Sequence, residues 1–314
     1  MPDRFLKLWA FRSAAALFFL CVSLLSAGNW RPVMAAEGQL VLASARNSLG
    51  DLEIGGELAG VPAGGLRYVR YEDLVALPQE SYTVSNDANF EGSVEISGVA
   101  LTALAKMVGK KDRSDLIVAI CDDKYRSNYP SDYLAAHHPI LVLKINGQTR
   151  EKWPKSLYGT DMGPYLISHP PFHPSFKVLG HEDEAQIPFG VVRIEFRSEA
   201  KVLGAIQPRG LWGKDSAVWQ GYRIASQDCY RCHSMGDEGG EKAQRSWLIL
   251  GAWAATDAKN FEAYIRDPKS VMAGAQMEPH PGYDDSTLKA LTAYFATFAD
   301  TGQHDSGRQN TGRQ

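Results

Sequence analysis

The stretch AVWQGYRIASQDCYRCH, Ala217 to His233, divides the chain. Its first part sets Ala217, Val218, Gly221, Tyr222 and Ala225 on one helical face, and its end places two cysteines three apart with a histidine directly after them. Beyond it the texture stays helical. Phe261, Tyr264 and Ile265 form a second face, opened by Asp257 as N-cap and closed by Asp267-Pro268. A third follows Asp284-Asp285, with Leu288, Leu291, Thr292, Phe295 and Phe298 at helical spacing. Before about Gly210 the texture is different. Short β-branched or apolar runs bounded by turn residues predict strands at Tyr82 to Ser85, Val94 to Ser97, Leu116 to Cys121, Ile140 to Ile145 and Val191 to Phe196. Helices fit Val99 to Val108, and Ser131 to Ala136 after Pro130. Val41 to Arg70 reads as loops and edge strands, Asn146-Gly147 as a turn, and the proline-rich SHPPFHPSF (Ser168 to Phe176) as irregular. The expectation is an α+β domain over residues 37–208, an all-α domain over 209–300, and a polar, disordered tail over 301–314.

At 314 residues the chain has room for two cores, and its 44% hydrophobic and 22% charged content is that of a globular protein. A net charge of -3 with no lysine or arginine run excludes a nucleic-acid partner. Arg4, Lys7 and Arg12 precede the apolar run AAALFFLCVSLLS (Ala14 to Ser26), and small residues follow at Ala27, Gly28, Ala35 and Ala36. This is the pattern of a secretory signal, read as residues 1–36, which makes the mature protein exported or periplasmic. The apolar run is short for a membrane span, so a membrane is a partner only if this segment stays uncleaved as an anchor. Cleavage removes Cys21 and leaves Cys121, Cys229 and Cys232.

C-x-x-C-H, as in CYRCH from Cys229 to His233, is the attachment pattern for c-type haem. On a helix start residues three apart lie on one side, so Cys229 and Cys232 reach the vinyl carbons of one porphyrin edge and His233 sets an imidazole under the iron; Tyr230 and Arg231 need only fit the turn. A redox dithiol is the competing reading and calls for a βαβ setting, which the helical surroundings do not supply. Zinc would need further Cys or His ligands close by, and only His280 and His304 follow. An electron-transfer haem takes a second permanent ligand, and a His/Met pair raises the potential. Met277 sits between predicted helices in a loop broken by Gly274, Pro279, Pro281 and Gly282; Met272 and His280 flank it as alternatives.

With these residues in place, the region from about Gly210 to Thr301 resembles a single-haem c-type cytochrome domain. The segment WQGY (Trp219 to Tyr222), CYRCH, YIRDP (Tyr264 to Pro268), and a loop methionine followed by a last helix stand in that family's order. The resemblance implies one haem c held by Cys229 and Cys232, axial ligands His233 and Met277, crossed first and last helices, and redox proteins as partners. Trp247 and Trp253 are candidates to line a haem pocket or to pack the core.

The preceding region, about Tyr71 to Phe196, resembles the molybdopterin-binding oxidoreductase fold of the sulfite oxidase type, a mixed sheet with helices. YEDLVALPQ (Tyr71 to Gln79), FEGSVEISGVALTALAKMVG (Phe90 to Gly109), IVAICDDKY (Ile117 to Tyr125), ILVLKINGQ (Ile140 to Gln148) and VVRIEF (Val191 to Phe196) carry the likeness. Active members of that family hold molybdenum through a cysteine thiolate after the LPQ turn, where this chain reads ESYTVSNDANF (Glu80 to Phe90). Neither Ser85 nor Asn86 replaces a soft thiolate, so the expectation is no molybdopterin. Cys121, in LIVAICDD, reads as a core cysteine, Asp122-Asp123 as a solvated turn, and His137, His138, His169, His173 and His181 as surface or loop-packing residues. The expected function is one-electron transfer with the front domain as a docking or structural module. The alternative is a molybdopterin-dependent, sulfite-type dehydrogenase passing electrons to its own haem; a haem sensor would need the open position that Met277 fills.

Overall fold

The residues described in the computed structural model are 40–85, 87–170 and 185–299. The signal and tail expected at 1–36 and 301–314, along with Asn86, His173 and His181, lie outside them. Among the described residues no helix is long and apolar enough to cross a membrane.

The front part is a mixed sheet with short helices. In chain order its elements are β1 (Leu52–Gly56), β2 (Arg67–Val69), α1 (Tyr71–Val75), β3 (Glu80–Ser85), β4 (Ser93–Ala100), α2 (Leu101–Met107), β5 (Leu116–Cys121), β6 (Arg126–Pro130), α3 (Ser131–His137), β7 (Ile140–Ile145), β8 (Tyr165–Ser168), β9 (Phe189–Arg197) and α4 (Glu199–Val202). The sheet runs β2-β1-β9-β8-β7-β4-β3, with β5 joined to β9 and β6 to β5. Only β1 and β9 pair in parallel, from Glu53↔Arg193 to Gly56↔Phe196; the remaining pairs are antiparallel. Every strand expected from the sequence forms.

Three expectations change. Leu52–Gly56, read as loop or edge strand, is an internal strand with Leu52 and Ile54 fully buried, because distant β9 supplies its second partner. The helix expected from Val99 starts only at Leu101: Val99 and Ala100 stay in the ladder opposite Leu141 and Ile140. Gly98 permits that pairing, since a Cβ there would lie 1.9 Å from the Leu141 carbonyl oxygen. Ser168, expected in an irregular stretch, ends β8, whose four residues are all buried and so show no alternation to read.

Helices follow: α5 (Ala217–Gln227), α6 (Trp247–Thr256), α7 (Ala258–Arg266), α8 (Pro268–Val271) and α9 (Asp285–Ala296), with a small hairpin of β10 (Ser234–Met235) and β11 (Glu238–Gly239) between α5 and α6. Side-chain caps open three of them, Ser216 on Trp219 N–H, Asp257 on Asn260 N–H and Asp284 on Thr287 N–H. The hairpin and α6 were not expected. WLILGAWAAT is apolar on every side, so α6 carries no stripe that periodicity could detect. The expected break at Asp267-Pro268 ends α7, and the same proline then opens α8 at its first position.

β5 ties the two parts together. Ile117, Ala119 and Cys121 face the core under the sheet, while Leu116 and Val118 face a second core built with Val218, Ile224, Trp247, Leu291 and Phe295. Both faces of the strand are buried, which explains its unbroken apolar run.

Candidate functional site

CYRCH sits behind the C-terminal end of α5, not on a helix start. Cys229–Arg231 form one 3-10 turn. Its i+3 bond, Cys232 N–H to the Cys229 carbonyl at 3.2 Å, eclipses residues three apart, so the two cysteines share a side for a different local reason than the one expected. Both are free, half-buried thiols. Burial raises the Cys229 thiol well above its usual value and pushes Cys232 up to about 11. A redox dithiol works through a lowered thiol pKa and typically sits at a positive helix N-terminus; this pair is neutral and follows a helix C-terminus.

The two middle residues of the motif are anchors rather than turn filler. Tyr230 is fully buried, donates to the Val202 carbonyl at 3.1 Å and packs its ring edge-on against Trp247. Arg231 donates to the Ala185 carbonyl at 2.9 Å. The β10–β11 hairpin then folds back onto the motif, with Gly240 N–H on the Tyr230 carbonyl at 2.9 Å. Only glycine fits there, because a Cβ at residue 240 would lie 1.7 Å from the Arg231 carbonyl oxygen. Across this seam Arg197 pairs with Glu238 at 2.5 Å and Lys242 with Asp123 at 2.7 Å.

His233 is 8% exposed, and its Nδ1 lies 2.6 Å from the Arg245 carbonyl oxygen. A carbonyl only accepts, so Nδ1 carries the proton and Nε2 presents a lone pair. Burial lowers the imidazole pKa, which keeps it neutral. Arg245 is itself held, its guanidinium beside the Trp253 and Tyr264 rings and hydrogen-bonded to the Tyr264 hydroxyl at 3.1 Å. Met277 is half-buried against the same core cluster as Cys229. Met272 is exposed, its sulfur turned to Arg245, and His280 lies 3.4 Å from an Asp228 carboxylate oxygen and stacks on Tyr283. Trp247 packs the core, fully buried; Trp253 is partly buried at its edge.

In the front part Ser85 is exposed at the end of β3, and no described residue of that segment is a thiol. Cys121 is 4% exposed in the sheet core, where burial raises its thiol far up, and Asp122 and Asp123 form an exposed turn. His169, expected at the surface or in loop packing, is buried; its Nε2 meets the Tyr133 hydroxyl at 2.9 Å and its Nδ1 the Pro170 carbonyl at 2.9 Å. His137 packs its ring on Tyr133, and His138 ends α3 in the left-handed region. Among the described residues no cluster of His, Cys, Asp and Glu is arranged to hold a metal ion. Arg245 and the Gly239-Gly240 pair were invisible in the sequence, because a backbone acceptor and a close approach leave no periodicity.

No family model matches the chain, and no curated protein matches it. Among solved structures, part of the chain is weakly similar to the sulfane dehydrogenase SoxCD from Paracoccus pantotrophus, at 16% identity and a TM-score of 0.35, over 50% of this chain and 40% of that one. The chain thus spans less than half the length of that structure's chain.

Proposed function

We propose that this chain is an exported electron-transfer protein that binds one haem c, with Cys229 and Cys232 as the thioether residues and His233 and Met277 as the axial ligands. The observation that carries the reading is the set of donors behind α5: two free neutral thiols on one side of a 3-10 turn, next to a histidine whose Nδ1–H is fixed on a carbonyl and whose Nε2 is left to coordinate. When bound, the haem supplies a single reversible one-electron couple. The chain's own residues orient it. Arg245 sets the His233 tautomer, Tyr230 and Arg231 tie the attachment turn to the Val202 and Ala185 carbonyls, and Met277 stands on the core that receives Cys229.

The front part fits a docking or structural module. The segment after the LPQ turn carries no cysteine, the residue type whose thiolate a molybdenum centre would use, and Cys121 is buried in the sheet core. Metal analysis and a reduced-minus-oxidised spectrum of the exported protein test both statements. The expected result is equimolar iron with c-type bands and no molybdenum. Stoichiometric molybdenum would establish the sulfite-type dehydrogenase instead, and a spectrum without c-type bands would overturn the haem reading.

A further inference from the structure

A cleft of about 730 Å³ opens on the front sheet, and three arginines line it: Arg46, Arg150 and Arg193. Their arrangement is fixed. The Arg150 guanidinium lies 4.2 Å from the centre of the Tyr71 ring and donates to the Gly50 carbonyl at 2.9 Å. Its acidic partner, Glu151, is 65% exposed and 3.3 Å away, so solvent screens that pair. Arg46 and Arg193 share one carboxylate, each 2.6 Å from an oxygen of Glu53. The guanidinium groups of the lining outnumber its carboxylates, Glu53 and Asp122. Leu49, 87% exposed, and Pro164 add apolar surface beside them.

We propose that this cleft binds an organic oxyanion, a carboxylate or phosphate head on an apolar body. Guanidinium groups present paired donors that match such heads, and a stacked guanidinium loses little freedom on binding. Glu53 has both oxygens engaged by Arg46 and Arg193, and Glu195 takes Arg193 Nη1 at 3.4 Å, so the carboxylates order these side chains while Arg46 keeps further N–H groups for an incoming anion. The cleft is also joined to the motif through one turn. Its Asp122 rim begins the turn whose next residues, Asp123 and Lys124, pair with Lys242 and Glu241 just after CYRCH.

Isothermal titration of the full chain at low ionic strength with benzoate, phenyl phosphate and, as a neutral control, benzyl alcohol tests the proposal. At least one anion is expected to bind with a Kd below about 1 mM and the alcohol not at all. Arg150→Ala and Arg46→Ala should each weaken the anion about tenfold. Arg46 lies outside the sheet strands, so its variant keeps the test valid if Arg150→Ala fails to fold. Which anion binds distinguishes a carboxylate source from a phosphate source. Absence of binding by both anions, equal binding of the alcohol, or binding unchanged in Arg46→Ala would overturn the proposal. The titration does not read the haem, so its failure leaves the electron-transfer reading where it stood.

Discussion

His233 and His169 are both buried and both neutral, yet their lone pairs go to different places. His169 accepts the Tyr133 hydroxyl hydrogen bond at Nε2, since its Nδ1 lies 2.9 Å from the Pro170 carbonyl oxygen, which only accepts, and so carries the ring proton. At His233 the same nitrogen has no hydrogen bond among the described residues, which is what a metal ligand requires. The consequences are separable by experiment. Burial lowers the His169 pKa to about 4. The unfolded chain therefore takes up a proton below about pH 6.5 that the folded chain refuses until about pH 4, and stability falls as pH drops through that window. The loss is up to about 3 kcal/mol, read as a falling Tm, and His169→Gln should flatten the profile. If the chain carries the proposed haem, Met277→Ala should open its sixth position and let the reduced protein bind carbon monoxide with a Soret shift, whereas Met272→Ala should not. If Met277→Ala leaves carbon monoxide binding unchanged, the ligand is another residue. The cysteine pair and His233 were legible because their spacing is covalent; the burial of His169 was not, because it depends on β8 and α3 meeting.

Among the elements, α5 and α9 were legible from their apolar stripes and the resemblance implied that they cross, but the closeness of their contact was not legible. They touch backbone to backbone at Gly221, where a Cβ would lie 2.1 Å from the Ala290 carbonyl oxygen and 2.7 Å from the Tyr294 Cβ. A glycine inside a helix ordinarily lowers its stability, so its presence there makes sense only as clearance for a neighbouring backbone. Gly221→Ala, which would strengthen α5 in isolation, should instead cost the protein about 2 kcal/mol by pushing α9 away. A denaturant midpoint that rises in this variant would contradict the close approach. The same logic separates the elements that were missed. β1 and α6 are specified by what covers them, β9 in one case and the α9 face with Phe295 and Phe298 in the other, and neither cover is adjacent in the chain.

At the scale of the molecule, the sequence changes texture near Gly210 while the packing does not. Val202 and Ile206 lie before that point and Val218 and Trp247 after it, all in one buried cluster, and Leu116 and Val118 enter it from β5. Hydrogen bonds follow the same course: Tyr294 donates to the Ile206 carbonyl at 2.5 Å and Gln186 to the Gln227 carbonyl at 3.0 Å, two residues before Cys229. A front module that only tethered the helices would leave their stability to themselves. One that supplies part of their core must share their unfolding. Leu116→Ala removes a fully buried side chain from the sheet side of that core and should cost about 2–5 kcal/mol. Because the cavity forms in the core that Tyr230 also enters, far-ultraviolet circular dichroism and the absorbance of the proposed haem should both melt earlier and should still coincide in a single transition. Two transitions, with only the sheet signal shifted by Leu116→Ala, would show instead that the helices stand on their own and that the front part is a tether.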